Sequence, residues 1–475
     1  MSRKPNNHTG LKMVLLLLIL AMIGATVYVI GLCLGVGDGE VEPRPSDVIQ
    51  LPTAGENREE TIEAPTETTA PAPERVAATA SIAAQGDLLM HMPVFDDHVK
   101  YNSAVQLADG SYDFTPVFEH LMETTRSYDY AVANLETTFG GDDYPYQGNP
   151  TYNCPDALMD TLVEAGYDML LTANNHSSDT LIPGIKRTLE VVRGKGVETL
   201  GTRLSDEEAR YSVVDVNGIK IGMVCYTFTT SMKDGKPRLN GGLPLEQPEL
   251  INYFTYGDLE GFYGEMAQIV AAMEAEGAEA TMLYIHWGDE YYLEENYRQN
   301  DIAQKMCDMG IDVIVGGHPH VVQPMELLES TVDPEHKTIC IYSVGNVVSN
   351  QRLGNISQIN TPHTEDGALF SVTFEKYTDG RVYVAEVDVL PTWVNMYRNE
   401  NDKTVYAILP LEEERRAEWA ELFDLPGAIL TAAENSYDRT MKIVGEGLSQ
   451  CQTYLEQQKL AREQYYIDLA AGNAA

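Results

Sequence analysis

The stretch Val313-Ile314-Val315-Gly316-Gly317-His318-Pro319-His320 decides the fold. Val313 to Val315, with Asp312 before them, read as a buried strand, because the run is short, apolar and β-branched. Gly316 and Gly317 end it. Two imidazoles follow, one residue apart, with a rigid proline between them. A metal centre needs neutral nitrogen donors at the end of a stiff element, and a two-metal centre needs a donor for each ion. Two histidines so spaced can reach separate ions about 3.5 Å apart. Taken alone, the tetrapeptide is also two polar residues in a turn, so the reading depends on the rest of the chain.

Four more predicted strands end in groups of the same chemistry. ATASIAAQGD runs into Gly86-Asp87, and Tyr128 to Glu136 ends in Asn134-Leu135-Glu136. Tyr167 to His176 ends in Asn174-Asn175-His176, and Ala280 to Glu290 carries His286-Trp287-Gly288. Loops at the C-terminal ends of strands are where α/β proteins place their chemistry. His176, His286, His318 and His320 are four of only ten histidines in the chain, and all follow predicted strands. Carboxylate, amide oxygen and imidazole together suit Mn, Fe, Zn or Mg better than a soft-ligand metal.

Helical patterns over Asp156–Ala165, Leu181–Arg193, Glu260–Glu276 and Tyr297–Met309 alternate with these strands. Asn217-Gly218 and Asp379-Gly380 each separate two apolar runs and predict hairpins. The expected fold class is therefore mixed α/β, with sheets sandwiched between helices. From about Leu411 the chain is charged and helix-favouring.

The 475-residue chain has 32 Lys+Arg against 72 Asp+Glu, a formal net charge of −40. A surface this acidic repels nucleic-acid phosphates, so DNA and RNA are excluded as partners. It also makes an acidic polymer an awkward ligand, unless a metal or a local basic patch screens the charge. The six cysteines form no CxxC pair, which argues against a thiolate zinc site. Cys225 and Cys340 sit in apolar runs and read as core residues.

Residues 13–36 carry no charged side chain and are long enough to cross a bilayer as a helix. Arg3, Lys4 and Lys12 precede them, and Asp38, Glu40 and Glu42 follow. The positive-inside rule places residues 1–12 in the cytoplasm and the remainder outside, at the cell membrane. A cleavable signal is the rival reading, but no clear A-x-A site follows. Leu32 before Cys33 argues against a lipoprotein. Residues 37–78, rich in Pro, Thr and Glu, read as a disordered stalk. A main domain over 79–395 and a helical appendage over 396–475 complete the expected organisation.

In order along the chain, GDLLMH (86–91), NLETTF (134–139), TANNHSSD (172–179), HWGDEY (286–291), GGHPHVVQP (316–324) and YSVGNVV (342–348) resemble the bacterial capsule-synthesis, CapA-type family. That family is associated with poly-γ-glutamate and looks like a branch of the calcineurin-like metallophosphoesterases. The resemblance covers about residues 80–391. It implies a four-layer α/β/β/α sandwich with two divalent metal ions between the sheets. Asp87 and His320 would hold one ion, and Asn175, His286 and His318 the other, with Glu136 as the bridging carboxylate. His176 would be the general acid, and a water made acidic by the two cations the nucleophile. His91, Asn134 and Asn346 are accessory candidates. The implied partners are a capsule or cell-envelope polymer and its synthesis machinery. The implied chemistry is metal-dependent hydrolysis or transfer; the alternative is a non-catalytic polymer-binding or assembly protein that keeps the fold. Two departures stand out. Leu89 occupies a position where phosphoesterases usually place a histidine, which His91 could replace. Glu136 stands for the usual, shorter Asp.

Overall fold

Strand β1 (Val76–Leu88) is buried on both faces over most of its length, which requires a layer on each side of its sheet. Ala80, Ile82 and Ala84 point into one core and Ala83 into another, as the two-residue period of a strand dictates. The computed structural model describes residues 75–98, 100–355 and 359–470. The expected span 13–36, Cys33 and the stalk up to residue 74 lie outside the described residues. Residues 76–78, assigned to the stalk by composition, instead begin β1.

The larger sheet has eight strands. From β1 it runs through β2 (Tyr130–Asn134), β3 (Met169–Leu171) and β4 (Glu198–Leu200), all parallel. The smaller, seven-stranded sheet is built on β5 (Tyr211–Val216) and β6 (Ile219–Phe228). These two are joined by the expected Asn217-Gly218 hairpin, whose φ values are 54° and 86°. A separate hairpin, β7 (Ser231–Lys233) with β8 (Lys236–Arg238), precedes the short β9 (Tyr253–Phe254). Next come β10 (Ala280–His286), β11 (Val313–Gly317), β12 (Met325–Glu329) and β13 (Lys337–Ile341), giving the order β12-β13-β11-β10-β6-β5. The chain returns to the larger sheet with β14 (Asn346–Val348), β15 (Asp366–Tyr377), β16 (Val382–Arg398) and β17 (Thr404–Pro410).

The two sheets face each other across one core. Ile82, Val132, Met169 and Phe370 of the larger sheet meet Ile221, Met223, Met282 and Val315 of the smaller. Helices Ala157–Ala165 and Leu181–Gly194 cover the outer face of the larger sheet through Leu158, Leu162 and Val192. Helices Leu259–Ala275 and Tyr297–Asp308 cover the smaller one through Phe262, Met266, Ile302 and Met306. The layers thus run helix, sheet, sheet, helix.

Register positions the site. In the larger sheet Asp87 pairs with Asn134, and Asn134 with Leu171. In the smaller sheet His286 pairs with Gly317, and the strand runs on through Gly316 and Gly317, two residues past its expected end at Val315. Two rows of strand ends therefore face each other along one rim.

Residues 396–410, placed in the C-terminal appendage by composition, continue β16 and form β17 of the larger sheet. Their charged turn at Asn399–Lys403 had hidden the alternation on either side. The helix Gly427–Ala470 packs on β16 and β12, one strand from each sheet, and sends Val444, Leu448, Cys451 and Leu455 into the shared core. Its Arg439 donates to both carboxylate oxygens of Asp366 at 2.8 and 2.6 Å, and Ser436 Oγ donates at 2.6 Å. Asp366 is buried, so removing its cation strands a charge. Arg439→Ala is expected to cost about 3 kcal/mol in denaturant unfolding, and Asp366→Ala on top of it should recover part of that loss. An unchanged midpoint for Arg439→Ala would show that the pair does not clamp the helix.

Candidate metal centre

Close strand packing decides which residues precede the polar groups. A Cβ on Gly86 would lie 1.8 Å from the Gly345 carbonyl oxygen, and one on Gly316 would lie 2.0 Å from that of Tyr342. Glycine is required at both, and it brings β1 and β11 close to their neighbours immediately before Asp87 and His318. His318 and His320 then adopt φ of 97° and 56°. Left-handed backbone costs energy in residues other than glycine and is found where the surroundings over-determine it, as at binding sites. The His318 and His320 ring centroids lie 5.9 Å apart.

The structure brings Asp87, Glu136, Asn175, His176, His286, His318 and His320 together, all of them buried. His320 Nδ1 lies 3.0 Å from Asp87 Oδ2 and 3.1 Å from Asn346 Oδ1, which leaves Nε2 facing inward, 3.9 Å from Glu136 Oε1. His286 Nε2 lies 2.8 Å from Asn175 Oδ1, 3.1 Å from His318 Nδ1 and 3.5 Å from Glu136 Oε1. His176 Nε2 is 4.0 Å from the same Glu136 oxygen. Asp87, Glu136 and His286 offer ligand atoms within 4.8 Å of one another, and so do Glu136, His318 and His320. Glu136 belongs to both groups. These wider groupings cross the contact pairs Asp87–His320 and Asn175–His286–His318.

Electrostatics favour a cation here. Both carboxylate oxygens of Glu136 are buried without a hydrogen-bond donor. Burial, then the nearby Asp87 charge, pushes its carboxyl well above the usual range. Burial drives His286 down to about 3 and His318 well below the ordinary histidine value, so both rings are neutral at pH 7, as ligands must be. Burial opposes ionisation of Asp87 too, but the hydrogen bond and charge of His320 outweigh it and hold Asp87 low. A single proton on His286 Nε2 can satisfy only one of the three acceptors around it. A cation would satisfy them together. Donors about 2.1 Å from one ion sit about 3–3.5 Å apart, which is the spacing of this group. The buried residues therefore fit a divalent metal ion.

Three accessory candidates resolve differently. Asn134 Nδ2 donates to Asp87 Oδ1 at 2.7 Å, and its own oxygen accepts from Asn174 at 3.0 Å, so it orients the carboxylate. Asn346 holds the His320 ring and also donates to the His320 carbonyl at 3.2 Å. His91 is not brought into the cluster. Its Nδ1 faces Leu89 O and accepts from Asn350 N, and its Nε2 faces Tyr152 Oη at 3.0 Å. Leu89 itself is fully buried in the core. Sequence reasoning missed Asp179, whose Oδ2 lies 2.7 Å from His176 Nδ1, and Tyr152, whose ring meets that of His176 edge-on at 4.6 Å. Asp179 was legible as the acid three residues after His176. Nothing local marks Tyr152.

The fold and site define a mixed α/β protein with a buried histidine, carboxylate and amide cluster between two sheets. Residues 81–351, more than half of the chain, match the family described as bacterial capsule synthesis protein PGA_cap. The chain belongs to that family. It is 27% identical over 283 residues to the PGA biosynthesis protein CapA of Bacillus subtilis (strain 168), covering 58% of this chain and 65% of that protein. It is 25% identical over 300 residues to the capsule biosynthesis protein CapA of Bacillus anthracis, covering 60% and 64%. The match thus spans just under two thirds of each relative.

Proposed function

We propose that this chain is a membrane-anchored, extracytoplasmic protein that acts in synthesis, export or attachment of a capsule-like polymer of the poly-γ-glutamate type, through metal-dependent hydrolysis or transfer. Family membership and the names of the two relatives support the capsule role. The observation that carries the chemistry is Glu136, a buried carboxylate without a donor, between Asp87–His320 on one side and Asn175–His286–His318 on the other. In this reading Asp87 and His320 hold one divalent ion, Asn175, His286 and His318 a second, and Glu136 faces both. Such ions supply Lewis acidity and an activated water nucleophile.

His176 is the general acid. Asp179 accepts its Nδ1 proton, which fixes the ring and turns Nε2 toward the cluster. Protonation of the leaving group from that atom is its role. On any phosphodiester or amide that is turned over, His176→Ala should lose about 10²–10⁴-fold in rate while metal content is retained. An equal loss of metal would recast His176 as a ligand.

One observation favours the non-catalytic alternative. Leu89, where the resemblance implies a histidine, is buried, and His91 is turned to other partners, so the Asp87–His320 side is poor in nitrogen and suits Mn or Mg better than Zn. Bound metal without turnover of any ester or amide would support an assembly role instead.

The anchor rests on residues 13–36. Among the described residues no helix is long and apolar enough to cross a membrane. Protease added to wall-stripped cells should release a soluble fragment by cutting within residues 37–74. Full-length, protected protein would reverse the proposed orientation.

A further inference from the structure

The surface carries a second feature suited to an acidic ligand. A groove of about 780 Å³ is lined in part by His91. His91 contacts Tyr152, whose ring packs on His176, so the groove leads away from the general acid. Among the described residues its lining contains no Asp or Glu, although 72 of the 475 residues are acidic. It does contain Lys100 and Arg398. Both are exposed, and among the described residues neither has a carboxylate within 4.0 Å. Lys403, on the same hairpin as Arg398, is by contrast neutralised by Asp97. Arg398 is tethered by donating to Asp402 O at 2.9 Å, which keeps its guanidinium at the groove wall.

The uncharged lining has its own signature. Asn350 uses its oxygen to accept from Tyr406 Oη at 2.7 Å and Asn355 Nδ2 at 2.9 Å, while its side-chain NH₂ has no partner among the described residues. Asn149 lines the same space. Amide side chains match the donors and acceptors of a polyamide backbone. Met92, Met396 and Tyr397 offer apolar surface for methylene groups.

We propose that this groove is a subsite for a carboxylate-bearing polyamide chain, with Lys100 and Arg398 pairing its side-group carboxylates. The proposal rests on the polymer role above and names where that polymer lies. It also answers the electrostatic difficulty, because a chain of net charge −40 needs a local cationic path to hold an acidic ligand.

The test is calorimetric titration of full-length protein in detergent with γ-linked oligoglutamate, α-linked oligoglutamate, uncharged oligoglutamine and polyphosphate of matched length. Both glutamate chains are expected to bind, oligoglutamine far more weakly, with affinity falling as salt rises. Tighter binding of one linkage identifies the natural chain. The double variant Lys100→Ala/Arg398→Ala should weaken glutamate binding about 5–10-fold, the reversal Lys100→Glu/Arg398→Glu more, and Lys100→Arg/Arg398→Lys little. His318→Ala, which disables the metal cluster, should leave groove binding in place, so the two readings fail separately. Unchanged affinity in the charge-reversed variant, equal binding of oligoglutamine, or preferential binding of polyphosphate would overturn the proposal.

Discussion

Replacing His318 with alanine should strip metal from the protein and leave its fold standing. The imidazole is one of two on the side proposed for the second ion, 3.1 Å from His286 Nε2. Outer-shell partners of metal ligands cost roughly 10–100-fold in affinity when removed, and loss of a ligand should exceed that. His286→Ala should behave alike, since its Nε2 faces Asn175, His318 and Glu136 at once. The metal-free proteins should unfold close to the parent, because three extensive apolar cores hold a domain of this size. A control sharpens the result. His318 has φ of 97°, so His318→Gly should be no less stable than His318→Ala, although glycine elsewhere costs about 0.5–1 kcal/mol relative to alanine. Full metal occupancy in both His318→Ala and His286→Ala would refute the ligand assignment.

Glu136→Gln is expected to give effects of opposite sign in two states. The shape is kept and the negative charge lost. Because Glu136 faces both sets of ligands, binding of both ions should collapse. In chelator, however, the variant should be as stable as the parent or more so, by about 1–3 kcal/mol. The gain comes from removing an uncompensated buried charge, which Asp87 also repels. Thermal unfolding with and without metal reads both effects. A variant clearly less stable than the parent in chelator would show that Glu136 is held by donors in the metal-free fold, and that the cluster is not built for a cation.

Much of this arrangement was legible because the strands are short and end in chemistry. Val313 to Val315 could be read as buried from their branching alone, and the glycines after them marked the stop to within two residues. Helices with a clear apolar stripe, such as Leu181–Gly194, fell within a residue of their expected ends. What could not be read was pairing over long distances. Strand β17 hid behind a charged turn. The C-terminal helix looked like an appendage because its apolar positions are sparse, yet Val444, Leu448 and Cys451 reach the core between the sheets. At the site, spacing along the chain suggested that His91, four residues after Asp87, could fold back toward it. His91 instead stands as the N-cap of a short helix, Met92–Phe95, and its ring faces Tyr152 and Asn350. Asn134 was an accessory candidate without an assigned role, and its two hydrogen bonds make it an orienting group.

The central claim is that this cluster holds divalent metal. Elemental analysis of the purified full-length protein, followed by titration of the chelator-treated protein with Mn²⁺ and Zn²⁺, tests it most directly. The account predicts two ions per chain with unequal affinities, the weaker on the Asp87–His320 side where Leu89 stands in place of the histidine that the resemblance implies, and no specific binding in Glu136→Gln. Absence of bound metal in the parent, or a parent titration indistinguishable from that of Glu136→Gln, would contradict it.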